Sequence, residues 1–146
     1  MREAVSQLRE GGAMDLSVAL RPLAENVPSL DIGMDIESPL TLDDPERAHV
    51  LLRCTQEIIT NAVRHSGARH LWLEARRDAG SIVMTARDDG RGADLLVAGN
   101  GLRGMRERLA QYGGTLDIDT RPEEGFRLRL VLPIAAVPAV REGVAA

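Results

Sequence analysis

The chain contains no lysine, and all 18 of its basic residues are arginine. A phosphate-binding lysine of the P-loop kind is therefore excluded, and any cationic side chain that meets a phosphate must do so through a planar guanidinium. Aromatic residues are almost as scarce, with one Trp, one Tyr and one Phe. A net charge of −4 accompanies them, so both the stacking platform and the basic surface needed for nucleic-acid binding are missing. The single cysteine, Cys54, can build neither an internal disulfide nor a cysteine metal site, which predicts a reducing, cytoplasmic setting. No apolar run approaches the roughly 18 residues that cross a bilayer, and MREAVSQLRE has no signal-peptide core. The segment is expected to be soluble and to make no membrane contact.

What is present suffices for one domain: 146 residues with 44% apolar composition support a proper core. Residues 1–12 read as a linker, residues 13–134 as the folded domain and residues 135–146 as a flexible tail. Asp15 caps a short helix expected to reach about Val27. Leu30, Ile32, Met34 and Ile36 alternate with polar residues as in a half-buried strand ended by Pro39. Asp43-Asp44-Pro45-Glu46 is a helix start, and its pattern runs to His65. Two alternating strands, around Leu71–Ala75 and Ile82–Ala86, form a hairpin over Asp78-Ala79-Gly80. A glycine-rich loop then leads into a helix over about Leu102–Tyr112, stopped by Gly113-Gly114. Leu116 and Ile118, then Leu128, Leu130 and Leu132, mark two last strands joined by a turn over residues 122–125. The sum is an α+β sandwich: a sheet of about five strands, mostly antiparallel, with helices on one face.

Three stretches carry chemistry. On the long helix, Glu57, Asn61 and Arg64 fall within an arc of about 60°. Most such arcs are solvated surface, but Asn61 is a poor mid-helix residue at the edge of the apolar stripe. Its carbonyl can ligate Mg²⁺ beside a phosphate, while Glu57 can orient or deprotonate an attacking group. In "DDGRG", Asp88 ends a strand where its carboxylate can accept from an exocyclic amine, and Gly90 and Gly92 let a flat ring approach the backbone. In "GNGLRG", Gly99, Gly101 and Gly104 open a helix whose free amides suit phosphates; the strand that a dinucleotide fold needs just before it is absent. Leu102 and Met105 are most simply that helix's buried stripe. His65 and His70 are five residues apart, a spacing that suits neither one helical face nor a zinc motif.

In that order, Glu57-x-x-x-Asn61-Ala62-x-Arg64-His65, Asp88-x-Gly90-x-Gly92 and Gly99-x-Gly101-Leu102-x-Gly104-Met105 resemble the N, G1 and G2 boxes of the GHKL ATPase superfamily. "GLRGMRERLAQYGGTLDI" and "RLRLVLP" resemble the catalytic domain of bacterial sensor histidine kinases that pair with response regulators of the NarL/LuxR type. The resemblance implies a Bergerat fold that binds ATP and Mg²⁺ under a short lid over residues 93–100. It implies Asn61 as the Mg²⁺ ligand, Arg64 and His65 facing phosphates, Glu57 as base or polarising carboxylate, and Asp88 reading the adenine amine. Gly101 to Gly104 would hold the phosphate side of the lid, with Leu102 and Met105 in the same box.

The family's phosphoacceptor histidine is usually followed by an acidic residue, whereas His49, His65 and His70 precede Val50, Ser66 and Leu71. The resemblance therefore implies an acceptor on a separate dimerisation domain, of which residues 1–12 would be the end, and no autophosphorylation by this segment alone. Phe126 stands where the family's last strand often opens with threonine. Anti-sigma serine kinases share the fold and the N box, making a sigma-binding regulator the alternative; "GMRERL" and the Gly-Gly turn favour the histidine kinases.

Overall fold

The computed structural model describes residues 13–90, 99–120 and 125–134. The proposed linker over residues 1–12, the tail over 135–146 and most of the turn over 122–125 lie outside them.

The longest helix begins as its sequence dictates. Asp44 caps it, its carboxylate accepting from the amides of Glu46 at 3.0 Å and Arg47 at 3.4 Å, and Pro45 occupies the first turn, where no amide partner is needed. It runs over Pro45–Asn61 and buries Ala48, Leu51, Cys54, Thr55, Ile58 and Ile59. Burial pushes the Cys54 thiol up to about 12, with the Arg108 charge opposing weakly, so almost no thiolate exists at neutral pH. The regular helix stops four residues short of His65. Ala62–Ser66 continue as a π-helical turn, which ends at Gly67 in the left-handed conformation, φ 66°.

In chain order the strands are β1 (Met14–Asp15), β2 (Asp31–Ile36), β3 (Thr41–Leu42), β4 (His70–Asp78), β5 (Ser81–Asp88), β6 (Thr115–Thr120) and β7 (Phe126–Pro133). The helices are α1 (Leu16–Ala19), α2 (Pro45–Asn61) and α3 (Gly99–Ala110). The main sheet has the order β2-β4-β5-β7-β6. β2 pairs parallel with β4 because α2 lies between them in sequence as a crossover, and the other neighbours are antiparallel. The expected hairpin turns over Ala79 and Gly80, both at positive φ, 52° and 83°, as a two-residue turn between right-twisted strands requires.

Alternation along these strands makes two unlike faces. Leu71 and Leu73, Ile82 and Met84, Leu128 and Leu130 point to one side, where they join Leu51, Ile58, Met105 and Leu109 in a single core. Thr55 of α2 reaches β5 here, its hydroxyl 3.5 Å from the Met84 sulfur. The helix expected from Asp15 to Val27 is broken. Asp15 does cap α1, accepting from the Ser17 amide at 3.0 Å, but Pro22 lies in a separate 3₁₀ turn over Arg21–Ala24, since proline has no amide with which to continue the α-helical ladder. β1 and β3 form a second, two-stranded sheet that the period-two pattern missed. α3 begins three residues earlier than Leu102 and closes with Gly114 donating to the Leu109 carbonyl at 2.8 Å. Among the described residues no helix is long and apolar enough to cross a membrane.

Candidate functional site

The end of α2 and the end of β5 hold the polar residues that the core would otherwise exclude. Asn61 is 3% exposed and Asp88 4%, and buried polar groups of this kind cost stability unless they are partnered. Asn61 lies at the last regular turn of α2. Its Nδ2 has no hydrogen-bond partner among the described residues. Since an amide's nitrogen and oxygen ends can be exchanged by a half-turn, the same position can offer either a donor or an acceptor. Glu57, one turn earlier and half-buried, lies against α3: a Cβ added at Gly101 would fall 2.1 Å from its Oε2. The G2-like stretch therefore does not stand apart from the long helix, and Gly101 is the place where α3 meets the Glu57 carboxylate.

Asp88 continues the core-facing row of Met84 and Ala86 on β5. Its Oδ1 accepts from the Gly90 amide at 2.8 Å, which fixes the carboxylate against its own turn. Gly125, at φ 87°, crosses so close to the Asp88 backbone that a Cβ there would fall 2.4 Å from the Asp88 carbonyl oxygen.

Asp89, to which sequence reasoning gave no role, ties the end of β5 to the start of β4. It accepts from the amides of Arg69 at 2.8 Å and His70 at 2.9 Å, and its Oδ2 lies 2.7 Å from His70 Nδ1. The doubled aspartate was its only signal. Burial pushes the Asp89 carboxyl up, but the His70 amide and ring and the Arg69 amide outweigh this and hold it at about 2. A depressed carboxylate lends stability that is full above its unfolded pKa, about 3.9, and is lost as pH falls through the folded one. In urea titrations from pH 6 to 2, the stability gap between the parent and Asp89→Asn should therefore be level above about pH 4 and close toward pH 2. A gap independent of pH would refute the clamp's ionic character.

The chain matches the family model for histidine kinase-, DNA gyrase B- and HSP90-like ATPases over residues 46–136, which takes in α2, both strand ends and α3. It belongs to this family. Sensor histidine kinase YxjM of Bacillus subtilis is 30% identical over 139 residues, 92% of this chain and 34% of that protein. Sensor histidine kinase DesK of the same species is 38% identical over 88 residues, 58% of this chain and 23% of that protein. The chain thus spans about a third of the first of these relatives and less of the second. Among solved structures, the histidine kinase domain of the Erythrobacter litoralis EL346 blue-light activated histidine kinase superposes with a TM-score of 0.73 at 20% identity, covering 88% of this chain and 69% of that one. The ATP binding domain of PrrB from Mycobacterium tuberculosis gives 0.67 at 25% identity, covering 84% and 96%. The α+β sandwich is thus the family's fold.

Other residues of the ATPase-family boxes are distributed unevenly. Leu102 and Met105 are core side chains, 5% and 0% exposed, so they anchor α3. Gly104 is partly exposed beside Arg108, and Arg64 is exposed on the π-helical turn. Gly92 lies outside the described residues, as do the side chain of His65 and the surroundings of Gly99. His70, considered as a metal ligand, is instead held by Asp89 and stacked on Trp72, and among the described residues no cluster of His, Cys, Asp or Glu could hold a metal.

Proposed function

We propose that this chain is the ATP–Mg²⁺-binding catalytic domain of a sensor histidine kinase, which transfers a phosphoryl group to a histidine on a separate dimerisation domain. We extend the proposal to a response regulator of the NarL/LuxR type as the next partner, on the resemblance of the "GMRERL" helix. The buried Asp88 carboxylate, fixed at a strand end by Gly90, carries the reading: a rigid acceptor in an apolar wall suits the amino group of adenine. A buried Asn61 amide with an unsatisfied end and the glycine-lined approach of α3 to Glu57 fit the phosphate and metal side of the same ligand.

ATP with Mg²⁺, when bound, supplies the γ-phosphoryl group and the charge that screens it. On this reading Asp88 accepts from the adenine amine, Asn61 offers its carbonyl to the metal and Arg64 and His65 face the phosphates. Gly90, Gly92, Gly99, Gly101 and Gly104 keep the backbone open to the nucleotide. Glu57 orients the incoming imidazole or takes its proton.

Asp88→Asn is the direct test. The amide can turn a donor toward the adenine amine, so ATP affinity should fall by about 1.5–3 kcal/mol and the preference over GTP should shrink. Titration calorimetry with both nucleotides reads this, and unchanged ATP affinity in a folded variant would remove the adenine assignment.

Gly101→Ala separates the catalytic contact from the fold. Its Cβ would meet Glu57 Oε2, the far end of a flexible side chain, which can swing aside. The melting temperature should hold or rise, since alanine favours a helix over glycine by about 1 kcal/mol, while phosphoryl transfer to a supplied acceptor domain should fall. Transfer at the parental rate would mean that the position of Glu57 does not matter.

A further inference from the structure

The Asp89 clamp sits beside the residue to which the nucleotide reading gives the adenine, yet that reading gives the clamp no part. Asp88 turns inward to the core row, while Asp89, one residue on, reaches the other side, where His70 and Trp72 alternate with the buried Leu71 and Leu73. Every polar group of Asp89 except its carbonyl is engaged there: its amide donates to the His70 carbonyl at 3.3 Å, Oδ1 accepts from the Arg69 and His70 amides and Oδ2 meets the His70 ring. That ring is itself held. It stacks on Trp72, with centroids 5.6 Å apart and planes 17° from parallel, and its Nε2 lies 3.9 Å from the Asp31 carboxylate on β2. The clamp thus joins the ends of three adjacent strands.

We infer that Asp89 is a positioning residue for the adenine end of the site: bound to the first amides of β4, it holds Gly90 where the Gly90 amide aims the Asp88 carboxylate. The inference rests on the adenine role proposed for Asp88. Gly90 donates to Asp88 Oδ1 at 2.8 Å, but it lies beyond the last ladder pair at this end of β5, Leu71 with Asp88, so strand pairing does not place its amide. The anchorage of Asp89, one residue earlier, does. A carboxylate that must meet one amine in a buried wall needs its orientation fixed by a supporting hydrogen bond, and here the support is secured from the opposite face of the sheet. The doubled aspartate then divides two tasks, the first residue recognising and the second aiming.

The experiment titrates the full chain with ATP–Mg²⁺ and GTP–Mg²⁺ in four variants: Asp89→Ala, Asp89→Asn, Asp88→Asn and the double variant Asp88→Asn/Asp89→Ala. Asp89→Ala should weaken ATP binding about tenfold, the effect of misdirecting one hydrogen bond to a charged group. GTP, which presents a carbonyl oxygen where adenine has its amine, should bind as before. A smaller folded fraction weakens both nucleotides by the same factor, so a change in their ratio is not a stability effect. Asp89→Asn keeps an oxygen for the two amides, and should keep most of the preference for ATP. In the double variant ATP should bind as in Asp88→Asn alone, because a residue that acts through Asp88 has nothing left to aim, whereas an independent effect would add its tenfold. Three results would overturn the inference while leaving the adenine reading in place: an unchanged preference in Asp89→Ala, additive losses in the double variant, or equal losses from asparagine and alanine. An unchanged preference in Asp88→Asn would instead remove the adenine reading, and the inference with it.

Discussion

In a Glu57→Gln chain, ATP–Mg²⁺ should bind nearly as tightly as in the parent, while phosphoryl transfer to a supplied acceptor domain falls about 10²–10⁴-fold. The separation follows from where the carboxylate acts on the proposed reading. An orienting base improves its interaction as the proton leaves, so its loss appears in the transition state and hardly in the ground state. Asn61→Ala should fail differently. It removes a buried amide from α2, and the loss should weaken nucleotide binding in the presence of Mg²⁺ much more than in its absence, because a metal ligand has gone. Paired titrations with and without Mg²⁺, together with single-turnover transfer to a dimerisation fragment bearing an acceptor histidine, measure both. Small and equal effects from the two substitutions would leave neither Glu57 nor Asn61 with the role proposed for it.

The sequence made α2 legible because its start is encoded locally: Asp44 and Pro45 act through amides one turn away. The hairpin was legible for the same reason, Ala79-Gly80 being the whole turn. What escaped depends on contacts distant along the chain. β1 and β3 have 2 residues each, too few for a period, and exist only because Met14 meets Leu42 across the fold. The parallel pairing of β2 with β4 is a consequence of the α2 crossover, which alternation cannot register. At the site, Glu57, Asn61 and Asp88 stood out as polar residues beside apolar patterns. Asp89 did not, since its partners Arg69 and His70 are supplied by the neighbouring strand. Gly125 was read as a turn glycine, and its second role, close approach to Asp88, requires the β5–β7 register.

Gly125→Ala should lower the stability of the domain by about 2 kcal/mol or more, and Gly80→Ala makes the reason measurable. Both glycines have similar positive φ, 87° and 83°, so alanine meets a comparable left-handed penalty of roughly 1–2 kcal/mol at either place. Around Gly80 the added Cβ would find nothing within 4 Å, whereas at Gly125 it would lie 2.4 Å from the Asp88 carbonyl oxygen and 3.5 Å from the carbonyl carbon. Those are backbone atoms at the end of a paired strand, and they cannot rotate away as a side chain can. Relief requires β5 and β7 to part where Asp88 faces Phe126, which shifts the Asp88 carboxylate as well. Urea denaturation of the two variants should therefore show a larger loss for Gly125→Ala, the excess measuring the collision. ATP affinity should fall with it in Gly125→Ala and hold in Gly80→Ala, whose turn lies at the opposite end of β5. Equal destabilisation by the two substitutions would mean that the strand end yields freely, and that Asp88 is not held in place by the close crossing of Gly125.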